Sequence, residues 1–180
     1  MNYIAELLPA IREAMAEYQT AFKKSLEAQG HVLTGKLRDS ITYEIEQNPT
    51  NITATMFIED YGLAVEFGVP AANIPYGGNS GSGGTSKYIQ GLIRFFELRG
   101  LAEREAKGAA FATANKHKKE GMPTRASSAF SQTGKRTEFI KEAIDSEGPR
   151  INAELERKFG VIIQMQFDDN FEGYDNIRTA

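Results

Sequence analysis

Gly30-His31-Val32-Leu33-Thr34-Gly35-Lys36 has the GxxxxGK spacing of a phosphate-cradling loop. That chemistry needs a hydroxyl on the following residue to hold magnesium, and a strand leading into the loop. The following residue is Leu37, and the residues before Gly30 read as a long helix. Nucleotide binding is therefore not expected. The run at 77–86, GGNSGSGGTS, does not have the GxGxxG spacing and no apolar strand enters it. No GxSxG elbow presents a serine nucleophile. The chain contains no cysteine, which removes disulfides, thiolate metal sites and cysteine nucleophiles. Its two histidines, His31 and His117, have no obvious orienting carboxylate and are expected at the surface. Glu44 and Glu46 fall on the polar face of a strand, where solvation accounts for them. Asp168-Asp169 alone is poor material for a cation site. No enzyme, metal or cofactor is expected from these residues.

The elements that would position any site can be read from periodicity. Ile4, Leu7, Leu8, Ile11, Met15, Tyr18, Phe22 and Leu26 recur every three or four residues, which predicts one long amphipathic helix ending before Gly30. Residues 41–47 and 51–58 alternate apolar and polar around Asn48-Pro49-Thr50, a hairpin signature. Ile52, Ala54, Met56 and Ile58 share its core face, which should rest on the first helix. Residues 61–68 form a short ordered piece. The Gly/Ser run at 77–86 is expected as a flexible loop. Two helices follow, the first ended by Gly100, the second over 101–119 and broken by Gly121-Met122-Pro123-Thr124. Residues 135–159 read as a further helix, kinked or split at Gly148-Pro149. Val161 to Phe167 reads as a third strand, and the acidic tail at 168–180 as frayed. The expected fold is α+β: a single domain over 1–180, with a small antiparallel sheet of about three strands against a long N-terminal helix. Additional helices lie in an insertion at 87–120 and near the C-terminus.

The 180 residues are 41% hydrophobic and 25% charged, the composition of a folded globular chain. No apolar run approaches the roughly 18 residues of a spanning helix, so no membrane association is expected. MNYIAELLPAIREAM lacks the basic-then-apolar layout of a signal peptide. The net charge of −3 argues against a general nucleic-acid binder. Yet the charge is uneven: Arg94 to Lys141 holds eleven Lys/Arg against five Glu, a local +6 that leaves −9 elsewhere. Arg104, Lys107, Lys116, Lys118, Lys119, Arg125, Lys135 and Arg136 are the candidates for a docking or DNA-facing surface.

Three segments carry a resemblance. They are Leu33-Thr34-Gly35-Lys36-Leu37-Arg38-Asp39-Ser40-Ile41, then Tyr61-Gly62-Leu63-Ala64-Val65-Glu66-Phe67-Gly68, then Gly121-Met122-Pro123 followed by an aromatic and a long helix. In this order they resemble the head–tail connector and tail-completion proteins of long-tailed bacteriophages, the group that includes minor tail joining proteins. Those proteins tend to show TG-x-LR-x-S after the first helix, two strands, and then Y-x-x-x-VE-x-G. The match covers residues 1–70 well and 120–145 loosely, and residues 87–119 depart from it as an insertion.

The resemblance implies a structural virion protein at the head–tail junction, assembled in the bacterial host cytoplasm. It implies a homo-oligomeric ring of six or twelve copies between portal or adaptor and tail-tube proteins. Double-stranded genomic DNA would pass through with transient, non-specific contact. Six spheres about 40 Å across leave a central hole of similar width, ample for a duplex of roughly 20 Å. Thr34, Gly35, Leu37, Arg38, Tyr61, Glu66, Phe67 and Gly68 would be its core or subunit-interface residues. Thr34 can cap a short helix, Gly35 permits a tight turn, and Leu37 anchors it. Arg38 and Glu66 are expected to pair, within a subunit or across the ring. Gly68 reads as a backbone requirement. The competing expectation is a non-specific nucleic-acid-binding domain that uses the basic stretch 104–136. Docking on an acidic neighbour is favoured over DNA, because Lys116, Lys118 and Lys119 have no stacking aromatics among them.

Overall fold

The computed structural model describes the backbone of residues 3–77 and 86–178, and the side chains of 6–77 and 86–165. The chain divides into two compact units: residues 1–26, 36–59 and 140–180 form the first, and 27–35 and 60–139 the second.

The first unit is built on two long helices. α1 spans Tyr3–Ala28 and α6 spans Phe139–Arg178. They run antiparallel: Lys158 reaches Glu13, Arg150 reaches Glu17, and the Tyr18 hydroxyl donates to Asn152 Oδ1 at 2.8 Å. The predicted stripe faces inward, but the most buried positions of α1 include Ala10, Ala14 and Ala21 beside Phe22 and Leu26. Small side chains let the helices approach closely. A Cβ on buried Gly148 would stand 3.4 Å from the Tyr18 hydroxyl.

The same unit holds α2 (Lys36–Ser40) and a hairpin, β1 (Thr42–Gln47) and β2 (Ile52–Phe57). The register pairs Thr42 with Phe57 and Gln47 with Ile52, so directly opposed residues share a face. Tyr43, Ile45, Ile52 and Met56 are half-buried on the inner face. Thr42, Glu44, Glu46, Thr53, Thr55 and Phe57 are exposed on the outer one. Asn48 N–H donates to Asn51 O at 2.9 Å and closes the turn around Pro49. The hairpin meets α1 as expected: Gln19 Nε2 donates to Ile41 O at 2.7 Å, and Tyr43 Oη to Arg12 O at 3.5 Å.

The fold class stands as mixed helix and antiparallel sheet, but the sheet has two strands rather than about three. Residues 161–167 continue α6 and do not form the third. Ile151, Leu155, Phe159 and Ile162 keep the helical spacing of buried and half-buried positions across that segment. Extending an existing helix fixes one residue per new bond. A lone strand would have left its backbone groups without partners. The same continuity carries the helix through the acidic segment to Arg178, where a frayed tail was expected. The helix is also unbroken at Pro149, which lies on its exposed side, while Ala143 and Ile151 hold both flanks in the core. Its start is later than expected, at Phe139 instead of residue 135.

The second unit contains α3 (Tyr61–Phe67), α4 (Lys87–Leu98), α5 (Glu103–Glu120) and short 3-10 turns at Ala71–Asn73 and Arg125–Phe130. Of the Gly/Ser loop expected at 77–86, residues 78–85 lie outside the described residues. Ser86 Oγ accepts from Ile89 N–H at 3.3 Å and caps α4. α4 and α5 pack as a helical hairpin. Ala106, Ala110 and Ala114 form the fully buried stripe of α5, one residue per turn. Tyr88 Oη and His117 Nδ1 lie 2.6 Å apart. His117 is thus half-buried and not at the surface, and burial lowers its pKa against the opposing pull of Glu120.

Gly108 lies on α5 with nothing within 4 Å of a built Cβ. Gly108→Ala should therefore stabilise the protein by about 1 kcal/mol, read as a raised midpoint in urea denaturation.

Candidate functional site

The three segments singled out in the sequence take up defined structural positions. Gly35 adopts φ +79° and turns the chain into α2. Leu37 and Ile41 are buried. Ser40 Oγ donates to Leu37 O at 2.8 Å and accepts from Glu59 N–H at 3.1 Å, so it fastens α2 to the end of β2. Lys36 pairs with Glu59 at 3.1 Å. Arg38 donates from Nε to the Asp39 carboxylate at 2.8 Å, which lowers the Asp39 pKa. Thr34 is exposed. The GxxxxGK segment lies between two helices, without the strand that phosphate binding requires.

The second and third segments meet. Val69 and Met122 form an antiparallel bridge directly after Gly68 and Gly121. Val69 N–H donates to Met122 O at 2.6 Å, and Met122 N–H to Val69 O at 2.8 Å. Glu138 N–H donates to Glu66 O at 2.7 Å. This bridge ties the second segment to the third across the chain.

α3 then presents an unusual surface. Gly62 and Glu66 face inward, Glu66 at 6% exposure. Tyr61, Leu63 and Phe67 face outward at 44%, 56% and 76%. Leu63 and Phe67, four residues apart, sit one above the other on one helix face. A contiguous exposed apolar face is a mark of an interaction surface.

The basic candidates do not form one patch along the sequence. Arg104, Lys107, Lys116, Lys118 and Lys119 are exposed on α5, Lys116 within 3.9 Å of Glu120. Arg125 lies on the second 3-10 turn, and its N–H donates to Glu120 Oε2 at 3.1 Å. Lys135 and Arg136 lie in the loop before α6.

The structure adds Arg99, which sequence reasoning missed. Its guanidinium lies 4.5 Å from the Phe95 ring centroid and 5.6 Å from that of Phe130. The FF at 95–96 followed by Arg99 one turn later was the available signal, since i,i+4 neighbours meet on a helix. Arg136 is close enough that the Arg99 charge, after burial, lowers its pKa. His31 also departs from its expected surface position. Its Nε2 bonds to Arg136 O at 3.1 Å, and its Nδ1 lies 3.5 Å from Arg136 Nη2.

A groove of about 340 Å³ between α1 and α6 is lined by Pro9, Ala10, Val161 and Ile162 together with charged residues, of which Glu13 and Lys158 pair with one another and Arg157 pairs with Glu154. Among the described residues no group of three or more His, Asp or Glu could hold a metal ion. No helix of the described residues is long and apolar enough to cross a membrane. Compared with family models, curated proteins and solved structures, the chain matches none.

Proposed function

We propose that this chain is a structural subunit of a phage head–tail connector. It joins portal or adaptor to tail as a ring of identical copies and lets DNA pass through. The observation that carries this reading is the outward apolar face of α3, centred on Phe67 at 76% exposure. That face lies on the same segment, Tyr61 to Gly68, that resembles the connector proteins. A helix of seven residues that spends its largest side chains on solvent is understandable if a neighbouring subunit covers them. The buried side of the helix is meanwhile fixed by Gly62, Glu66 and the bridge after Gly68.

Negative-stain microscopy of the purified protein, alone and with portal, tests the reading. Rings or ring-capped portals are expected for the natural chain. Leu63→Asp with Phe67→Asp should abolish them while leaving the circular dichroism spectrum unchanged. Failure to join any portal or tail ring would overturn the proposal. Sub-micromolar duplex binding that collapses with salt, without any ring, would instead favour a nucleic-acid-binding domain.

A further inference from the structure

We propose that Arg99, Arg136 and Phe130 form a docking site for a second copy of this chain, whose β1–β2 outer face supplies the carboxylates of Glu44 and Glu46. The proposal rests on the assembly role above but uses a different surface from α3.

The site side is an incompletely satisfied cation pair. Among the described residues no carboxylate pairs with Arg99 or Arg136. Arg136 Nε is buried and has no hydrogen-bond partner among them. A Cβ built on Gly30 would stand 3.1 Å from Arg136 Nη1 and would clash with Phe130 O, so Arg136 and Phe130 share one place, and Arg99 reaches the ring of the same Phe130. Two cations gathered there without a carboxylate favour an anion beside them. Phe130 stands beside them at 63% exposure, against the guanidinium of Arg99. An exposed aromatic with arginine is the composition of a protein-binding anchor, whereas a phosphate backbone would use the cations alone.

The occupant side follows from charge and shape. The first unit carries 16 acidic and 10 basic residues, a net −6; the second carries 11 basic and 8 acidic, a net +3. Copies that bind one unit to the other are complementary, and such a head-to-tail contact closes a ring when the rotation from copy to copy completes a circle. Within the first unit, Glu44 and Glu46 stand on the same face of β1, about 7 Å apart along the strand. Neither is in an ion pair among the described residues, and both are exposed. Phe57 shares that face at 45% exposure, with Thr53 and Thr55 across from the two glutamates. One surface thus offers two carboxylates and a phenyl ring; the other offers two guanidiniums and a phenyl ring. Glu44, Glu46, Phe57, Arg99 and Phe130 are exposed in the single chain, and Arg136 is half-buried beside them.

Sedimentation velocity on the full chain over a range of concentrations tests the match. The natural chain should self-associate. Arg99→Glu with Arg136→Glu should weaken that association at least tenfold, and so should Glu44→Arg with Glu46→Arg. Mixed in equal amounts, the two variants should associate again, because every contact between unlike copies then joins opposite charges. Unchanged melting curves exclude misfolding as the cause. Association that persists in either double variant, or variants that fail to rescue one another, would overturn the site without touching the α3 reading. A natural chain that stays monomeric would also overturn it, while ring formation on portal would still decide the assembly role. Loss of duplex DNA binding in Arg99→Glu with Arg136→Glu, with self-association intact, would reassign the arginines to DNA.

Discussion

Gly68→Ala and Gly121→Ala should each destabilise the second unit by about 2–4 kcal/mol, well above an ordinary point substitution. Both residues have positive φ, +73° and +85°, which a side chain disfavours. Space is the larger obstacle. A Cβ at 68 would stand 2.6 Å from Met122 O, and a Cβ at 121 would stand 2.6 Å from Val69 O. Those two carbonyls are the acceptors of the bridge itself. Either methyl therefore displaces a backbone group whose hydrogen bond must break for it to move. Gly134→Ala is the control: its φ is +75°, yet nothing lies within 4 Å of its Cβ. It should cost only about 1 kcal/mol, the conformational part alone. The Gly68→Ala, Gly121→Ala double variant should cost less than the sum, because both break one bridge. Urea denaturation followed by circular dichroism gives the energies, and amide exchange at Val69 and Met122 reports the bridge locally. Equal costs for Gly68→Ala and Gly134→Ala would show that the close approach does not matter.

That bridge also marks the boundary of what could be read from the sequence. The elements set by local pattern were legible. The α1 stripe, the alternation around Asn48-Pro49-Thr50 and the glycine stops after α1 and α4 each follow from one short stretch of chain. Residues 161–167 were misread because β-branched runs of that length fit strand or helix equally well, and only the helix already in progress decides. Gly68 could be recognised as a backbone requirement, but not its counterpart at 121, since 53 residues separate them. Side-chain environments formed by distant residues were the least legible. His31 and Arg136 are 105 positions apart, and Tyr88 and His117 are 29 apart. Nothing around either histidine in the sequence announces burial. Arg99 was counted in the basic stretch but not selected: its nearer ring, Phe95, was legible at helical spacing, whereas Phe130 comes from a 3-10 turn that the pattern did not predict. The exposed α3 face was hidden for a related reason: a segment of seven residues does not reveal which side the rest of the fold will cover.

Lowering the pH from 6.5 towards 4 should destabilise the protein progressively, with His31 as one cause. Burial, and then the positive charge of Arg136, push the His31 pKa from 6.5 down to about 4; its bond to the Arg136 carbonyl opposes them only in part. That bond assigns the proton of the neutral ring to Nε2, so Nδ1 faces the guanidinium as an acceptor. A second proton would have to enter at Nδ1, against a cation. The folded chain consequently binds fewer protons than the unfolded one throughout this window. The contribution of His31 is fully present above pH 6.5, declines as the pH falls, and is gone below about 4. The span amounts to at most about 3 kcal/mol, and the partial exposure of the ring screens it to about 1–2 kcal/mol. His117 contributes with the same sign, because burial lowers its pKa too. His31→Gln can keep a donor towards Arg136 O but has nothing to protonate. Its stability, measured by urea titration at half-unit steps, should fall less steeply between pH 6.5 and 4 than that of the natural chain. Parallel curves for the two proteins would mean that His31 protonates without strain, and that Arg136 swings away from it in solution. The Arg99–Arg136 surface would then be less rigid than its contacts imply, and its fit to a second copy would have to be induced on docking.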